Sequence, residues 1–452
     1  MPDVSPASTP DDPRAPLAAW VLRERWRFFW HVPLTAGLAC CLIVFILRGR
    51  AEDPHAHLAV SRKAMTAIAP PPVDPADNAA EDYKLAKQAA KSPIASPSAS
   101  LQHILNGARK VPCNWSHDYS HGAMKSLSVM NYADMRQNAR TLSAHALNLA
   151  SMGQHQKAAE TLAAVYNVGR QLEEEKLLIS GLVSIAVCSI ADEDFETILA
   201  ATDTTPLSIE ELEFYRNALW RDRQPDERLA QLLEGEKLFG DCAIDEIACG
   251  EIDGGASSVG VTLSNPERFA IVWYSTERHS YENIMNTIIP RVRSHGIITE
   301  EYIHGLETDS QLSKYITGGN SGEMFARCQV AYRTSADKGL LVDVALAWLQ
   351  FRVRHSRDPK DLYELVPEFL KAVPSSQYAP GTIHVTTLAA PAPASATSKK
   401  IAKGLPAPGV YANRKALMFY VFGLDGVDNG GMSGDDVKFK IPVLNSDKKE
   451  AP

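Results

Sequence analysis

The chain has no excess of positive charge: 46 Lys+Arg stand against 54 Asp+Glu, a net charge of -8 over 452 residues. No stripe of basic residues runs along any segment, and neutralising a phosphate backbone needs one, which argues against a general nucleic-acid-binding role. Catalytic signatures are missing too. There is no Gly-x-Ser-x-Gly, no His-Glu-x-x-His, no phosphate loop ending in Gly-Lys-Ser/Thr and no Gly-x-Gly-x-x-Gly. Unbroken hydrophobicity is confined to one early segment, which argues against a multi-pass membrane protein. With 45% apolar and 22% charged residues the chain is neither collagen-like nor wholly disordered. Cysteine is scarce. Of seven, Cys40 and Cys41 fall in the apolar segment, and the odd number that remains cannot all pair within one chain. Cys242 and Cys249, in a Gly- and Asp-containing stretch, are the pair best placed for a disulfide; two ordinary thiols near a helix are the alternative.

The apolar segment runs from Phe28 to Leu47, uncharged, and at about 1.5 Å of helical rise per residue it is long enough to span a hydrocarbon core. Arg23, Arg25 and Arg27 precede it, Arg48 and Arg50 follow it, and Trp20, Trp26 and Trp30 cluster at its entry as interfacial anchors do. A single transmembrane helix is the expectation. A cleaved signal peptide fits less well, because the run continues past Leu38-Ala39-Cys40 and Gly37 stands where lipoprotein processing at Cys40 wants an aliphatic residue. A short tail before the span and a large body after it point to an uncleaved anchor in the inner membrane. The bulk of the chain is then periplasmic, and the membrane itself is one partner.

Residues 1–27 read as a cytoplasmic, disordered tail, and 48–100 as a Pro/Ala/Ser-rich linker with one short helix near Glu81 to Lys91. Residues 101–355 read as a helical domain. Leu142, Ala146 and Leu149 recur at helical spacing, and Ala159, Leu162, Ala163 and Tyr166 continue the pattern after Gly153. They predict a hairpin about Ser151-Met152-Gly153-Gln154 that resembles one degenerate tetratricopeptide unit, with no second copy at the expected period. Glu174 to Ala200 is apolar around much of its circumference, which predicts a central buried helix. Ser208 and Glu211 fit a capping box. Asn265-Pro266 opens a helix through Arg293, and a long helix runs from Ser321 to His355. Residues 356–452 change character: Asp358-Pro359 starts a short helix from Lys360 to Leu370, a disordered insertion lies near 389–408, and Met418 to Phe422 and Val437 to Ile441 read as strands. The fold class is mainly α: an irregular helical bundle with a small C-terminal α+β cap, preceded by a single transmembrane helix.

Several segments share one order: Cys113-Asn114-Trp115; Gly153 with Ala158; Leu178-Ile179; Arg354-His355; Asp358-Pro359-x-x-Leu362-x-x-Leu365-Val366-Pro367. The order ends in Tyr420-Val421-Phe422-Gly423-Leu424-Asp425-Gly426-Val427-Asp428-Asn429-Gly430-Gly431 and Asp435-Asp436-Val437. It resembles a group of uncharacterised, single-pass membrane-anchored bacterial proteins of planctomycete type, over about Cys113 to Pro442, and the resemblance implies no particular chemistry. The C-terminal part is also similar to the globular end of G-type type II secretion pseudopilins. There a β-hairpin's acidic loop ends in Asp-Asp-Ile and can hold calcium.

In this chain the loop offers Asp425, Asp428, Asn429, Asp435 and Asp436. Calcium takes several oxygen ligands in flexible geometry, so these residues form a candidate calcium site, and no other cofactor is indicated. The alternative is a solvated hairpin loop whose acids and glycines satisfy turn geometry. Cys113, His117 and His121 are spaced four apart and on a helix would share one face, a zinc-like trio without a fourth ligand. A helix-entry segment in which Trp115 anchors packing is the plainer reading. Ser335-Ala336-Asp337-Lys338 matches the Ser-x-x-Lys pairing of some acyl-transfer enzymes, but its companion motifs are absent. Glu173-Glu174-Glu175 reads as the solvated face of a helix.

The leading expectation is a membrane-tethered extracytoplasmic, non-catalytic protein-interaction module of the cell envelope, with a protein rather than nucleic acid as partner. One alternative is an envelope hydrolase with a site between helical body and C-terminal cap, which requires acidic or His side chains from distant segments to converge in a pocket. Another is a component of a pseudopilin-like secretion or pilus assembly.

Overall fold

The computed structural model describes residues 54–92, 97–127, 132–201, 206–220, 222, 224–249, 251, 274–306, 321–376, 383–388, 416–423, 428, 431 and 436–443. Three helices open it: α1 (Pro54–Met65), α2 (Ala79–Lys91) and α3 (Pro97–Arg109). They occupy much of the stretch that the sequence presents as a spacer. Alanine is the strongest helix former and lets helices approach closely, so an Ala-rich composition serves packing as well as extension. Ala79, Ala80, Tyr83 and Ala86 form one buried face of α2. Asn78 caps that helix, its Oδ1 accepting from the backbone N–H of Ala80 at 3.2 Å and of Asn114 at 2.9 Å. The Tyr83 hydroxyl donates to Gln171 at 2.6 Å, tying α2 to the next layer.

That layer holds α4 (Ala123–Leu127), α5 (Tyr132–Ser151), α6 (His155–Leu172), α7 (Leu178–Ala200), α8 (Ile209–Ala218) and α9 (Pro225–Cys249). After it come α10 (Tyr274–Arg293), α11 (Glu300–His304) and α12 (Ser321–His355). The α5–α6 hairpin turns at Gly153, whose φ of +72° suits a residue without a Cβ. The Gln154 N–H reaches the Leu149 carbonyl at 2.9 Å, closing the helix end. At the start of α8 the capping box forms in both directions, Glu211 N–H to Ser208 Oγ at 3.2 Å and Ser208 N–H to Glu211 Oε2 at 2.8 Å.

Three apolar cores result; α7 and α12 run through the two larger ones, and the third joins Leu58 and Met65 of α1 to Cys242 and Ala243 of α9. In the first, Phe195 and Leu199 of α7 meet Leu341 and Ala345 of α12; in the second, Leu178 meets Phe325 and Tyr332. The price of making α7 central is buried charge. Asp192 and Asp194 are both at most 5% exposed; burial pushes their carboxyls up to about 6 and about 7 from an ordinary 3.8. The folded chain therefore holds protons that the unfolded chain releases. This contribution is fully present below the unfolded value and is lost as pH rises through 6 to 7. Between pH 5 and pH 8 the free energy of unfolding is expected to fall by about 4 kcal/mol, at about 1.4 kcal/mol per pH unit of displacement. Urea denaturation at the two pH values measures it, and Asp194→Asn should flatten the dependence; an equal slope in that variant would refute this assignment.

The C-terminal cap is a three-stranded antiparallel sheet, β1 (His384–Leu388), β2 (Ala416–Val421) and β3 (Val437–Pro442), in the order β1-β2-β3. Val385, Phe419 and Phe439 stand in register across it. Every residue of β2 is buried. The sheet lies on α12, where the Trp348 and Phe419 rings meet edge to face at 5.4 Å. Polar contacts fix the position: Lys338 Nζ donates to the Lys438 carbonyl at 2.6 Å, and Arg352 Nη1 to the Pro442 carbonyl at 2.9 Å. The expected helix from Lys360 to Leu370 is a single 3-10 turn, Leu362–Leu365, capped by Asp361. Asp358 does not cap it because its Oδ1 accepts from Trp348 Nε1 at 2.9 Å and Arg352 Nε at 2.6 Å.

One expectation is corrected. Among the described residues no helix is long and apolar enough to cross a membrane, so the transmembrane helix, the membrane as partner and the inner-membrane, periplasmic placement have no support in the fold. The reason is charge on the long helices. Even α7 carries Asp192, Glu193, Asp194 and Glu196, and α12 carries Arg333, Asp337, Lys338, Asp343 and Arg352. The span assigned to residues 28–47 lies outside the described residues, as do the tail before it and most of the insertion-bearing stretch after β1.

Candidate functional site

Two openings border the cap. The first, about 520 Å³, lies between α8, α12 and the segment Leu370 to Ser375. Glu213, Asp222, Asp337 and Asp343 line it, so carboxylates from distant segments do converge where helical body and cap meet. Each is engaged by the protein. Asp343 accepts from Arg216 Nε at 2.8 Å, Glu213 from Gln350 at 2.8 Å, Asp337 from the Ser376 hydroxyl at 2.8 Å, and Asp222 from the Gln224 N–H at 3.0 Å. Burial pushes Asp222 up to about 6. The cleft is an ion-paired seam, with one carboxyl whose proton is exchangeable near neutral pH.

The second opening, about 540 Å³, is a groove along β1. His384, Val385, Thr386 and Thr387 all line it, although successive strand residues point to opposite faces of a sheet. A space that touches both faces of one strand runs along that strand's edge. β1 is the edge of the sheet, paired to β2 on one side only among the described residues. A strand edge without a further partner offers backbone N–H and C=O groups for pairing. Trp348, Leu417 and Val443 line the groove from the sheet and α12, and Pro359, Leu362 and Tyr363 from the 3-10 turn. Tyr363 is 69% exposed, an aromatic ring held on the rim. The wall stands where it does because Asp358 anchors the chain just before the turn to Trp348 and Arg352.

The residues singled out in the sequence are distributed differently. Cys242 and Cys249 both lie on α9 and form no disulfide. A helical rise of about 1.5 Å per residue separates them by roughly 10 Å, beyond the Cα spacing of about 4.4–6.8 Å that a disulfide needs. Of the acidic loop, Asp425, Asn429 and Asp435 lie outside the described residues. Asp428 accepts from the Tyr420 hydroxyl at 3.0 Å, and Asp436 from the Gly423 N–H at 3.2 Å, so both help close the β2–β3 hairpin. Among the described residues no group of three or more His, Cys, Asp or Glu is placed to hold a metal ion. Cys113 is buried, its thiol pushed up to about 12 by burial and the nearby Glu175 and Glu174, which opposes the thiolate that zinc requires. His117 instead lies 3.2 Å from Glu175, and His121 3.1 Å from Asp118. Lys338 of the Ser-x-x-Lys match is committed to β3.

Sequence reasoning singles out Asp358-Pro359-x-x-Leu362 but not its neighbour across the groove, because β1 is not visible as a strand. The one available signal is the β-branched run Val385-Thr386-Thr387. No protein-family model, curated protein or solved structure matches this chain.

Proposed function

We propose that the protein is a non-catalytic interaction module that receives an extended peptide segment of a partner protein along β1. The observation that carries this is a groove lined by four successive residues of an edge strand, His384 to Thr387. An open strand edge is satisfied by another extended backbone, which gains ladder hydrogen bonds while its alternate side chains enter pockets on either face. The walls select the occupant. Trp348, Leu362, Tyr363 and Val385 favour apolar or aromatic side chains at every second position, and Thr386, on the opposite face, favours small polar ones between them. Lys360, Asp358 and Asp361 keep the rim mixed in sign, so a peptide of strong single charge gains little there.

A displayed random-peptide library panned on the full chain should enrich sequences with that alternation. Tyr363→Ala, exposed and outside the cores, should weaken a selected peptide by about tenfold, some 1.4 kcal/mol. Bound peptide should also slow amide exchange at Val385 to Leu388. Failure to enrich any such peptide, or binding that leaves the β1 amides unprotected, rules the proposal out.

A further inference from the structure

On the face of the helical body formed by α3, α6 and α9 lies a separate pocket of about 280 Å³. Four cations from four chain segments line it: Lys110 after α3, Arg170 on α6, Lys176 in the turn before α7, and Arg228 on α9. Two are neutralised from within. Lys110 pairs with Asp82 at 2.6 Å, and Arg228 pairs with Glu173 while its guanidinium covers the Trp220 ring at 4.4 Å. Arg170 and Lys176 have no ion pair among the described residues, and Glu174 is the one lining acid left to oppose them.

The pocket also keeps a buried donor in reserve. Arg228 Nε has no hydrogen-bond partner among the described residues; Asp222 Oδ2, 3.4 Å away, does not accept from it. Such a donor is costly to leave unmade unless something else accepts its proton. Burial lowers Arg228 to about 10, with Tyr332 opposing the fall and Arg170 adding to it. The turn is built to hold Lys176 in place. Its φ of +49° is left-handed, and Gly235 on α9 makes room, since a Cβ there would collide with the Lys176 carbonyl.

We infer that this pocket binds a compact phosphate-type oxyanion, held between Arg170, Lys176 and the free Nε–H of Arg228. A tetrahedral anion presents acceptors in several directions at once, matching donors that arrive from α6, the 173–176 turn and α9, and guanidinium groups favour it. The amide of Asn167 stands at the rim, while that of Gln231 already donates to Glu227 at 3.2 Å. Gln171 cannot turn toward a ligand, because its amide is occupied by Tyr83 and by the Gly107 and Lys110 carbonyls.

Thermal unfolding of the full chain tests this with inorganic phosphate and with glycerol phosphate, each at about 10 mM against chloride of equal ionic strength. Ligand that binds only the folded form raises the midpoint, here by about 2 °C or more. A shift with both ions places a phosphomonoester in the pocket; a shift with inorganic phosphate alone restricts the site to the free ion. The double variant Arg170→Ala/Lys176→Ala, altered at exposed positions, should unfold as before in chloride and lose the shift. Glu174→Gln should enlarge it. No shift beyond chloride, or a shift unchanged in the double variant, overturns the inference.

Discussion

Asp226→Ala is expected to destabilise the fold by about 3–5 kcal/mol, the loss typical of removing one member of a buried ion pair. Asp226 and Arg333 are each 3% exposed at the side chain and joined by two parallel hydrogen bonds of 2.9 Å, from Nε to Oδ1 and Nη2 to Oδ2. His295 Nδ1 also lies 2.9 Å from Asp226 Oδ2, and Arg333 donates to the His295 carbonyl at 3.1 Å. The carboxylate thus joins the start of α9 to α12 and to the turn after α10. That turn is clamped a second time: Gln329 on α12 accepts from the Ile298 N–H and donates to the Gly296 carbonyl, both at 2.8 Å. Without Asp226 the Arg333 charge stays in the interior unpaired, and its desolvation dominates the loss. The double variant Asp226→Leu/Arg333→Met, which removes both charges, should recover much of the stability. Urea unfolding of the three proteins decides the matter; a double variant no better than Asp226→Ala would show that the network acts by positioning rather than by neutralisation.

Phe419→Ala should cost a similar amount, about 3–5 kcal/mol, as large-to-small changes of a buried aromatic do. Phe419 has no exposed surface, packs on Trp348 and stands in register with Val385 and Phe439. Its loss opens a void between sheet and α12 directly beside the Trp348 ring. The consequence is expected to be local, with faster amide exchange in β1 to β3 and altered Trp348 fluorescence while α5 to α7 keep their protection. Peptide binding along β1 should disappear with it. Tyr363→Ala, by contrast, should leave stability within about 0.5 kcal/mol while weakening the peptide, which separates a contact in the groove from the scaffold beneath it.

How legible the fold is in the sequence depends on how local its cause is. The α5–α6 hairpin, the start of α8 and the extent of α12 follow from periodicity, a Gly at the turn and a Ser/Glu cap, all interactions within a few residues. β2 and β3 are legible for the same reason, as short apolar runs on either side of a Gly/Asp loop. α2 is legible as the short helix near Glu81 to Lys91, whereas α1 and the start of α3 are obscured because alanine and proline signal a spacer by composition, while their burial depends on α9 and α6 supplying the opposite surface. β1 is obscured because His384, Thr386 and Thr387 make it half polar, and only register with β2 makes it a strand.

The sequence by itself determined a mainly helical protein with a small C-terminal sheet, without the charge for nucleic acid and without a recognisable catalytic motif. The tertiary structure decided what the individual residues are for. Asp358 became an anchor rather than a helix cap because Trp348 and Arg352 reach it first, and Lys338 and Cys113 were withdrawn from chemistry by burial and by β3. The groove along β1 and the cationic pocket between α3, α6 and α9 exist only where segments far apart in the chain meet. Local pattern fixes which face of an element is apolar; which faces meet, and what they leave open between them, is set by long-range packing that no short window of sequence contains.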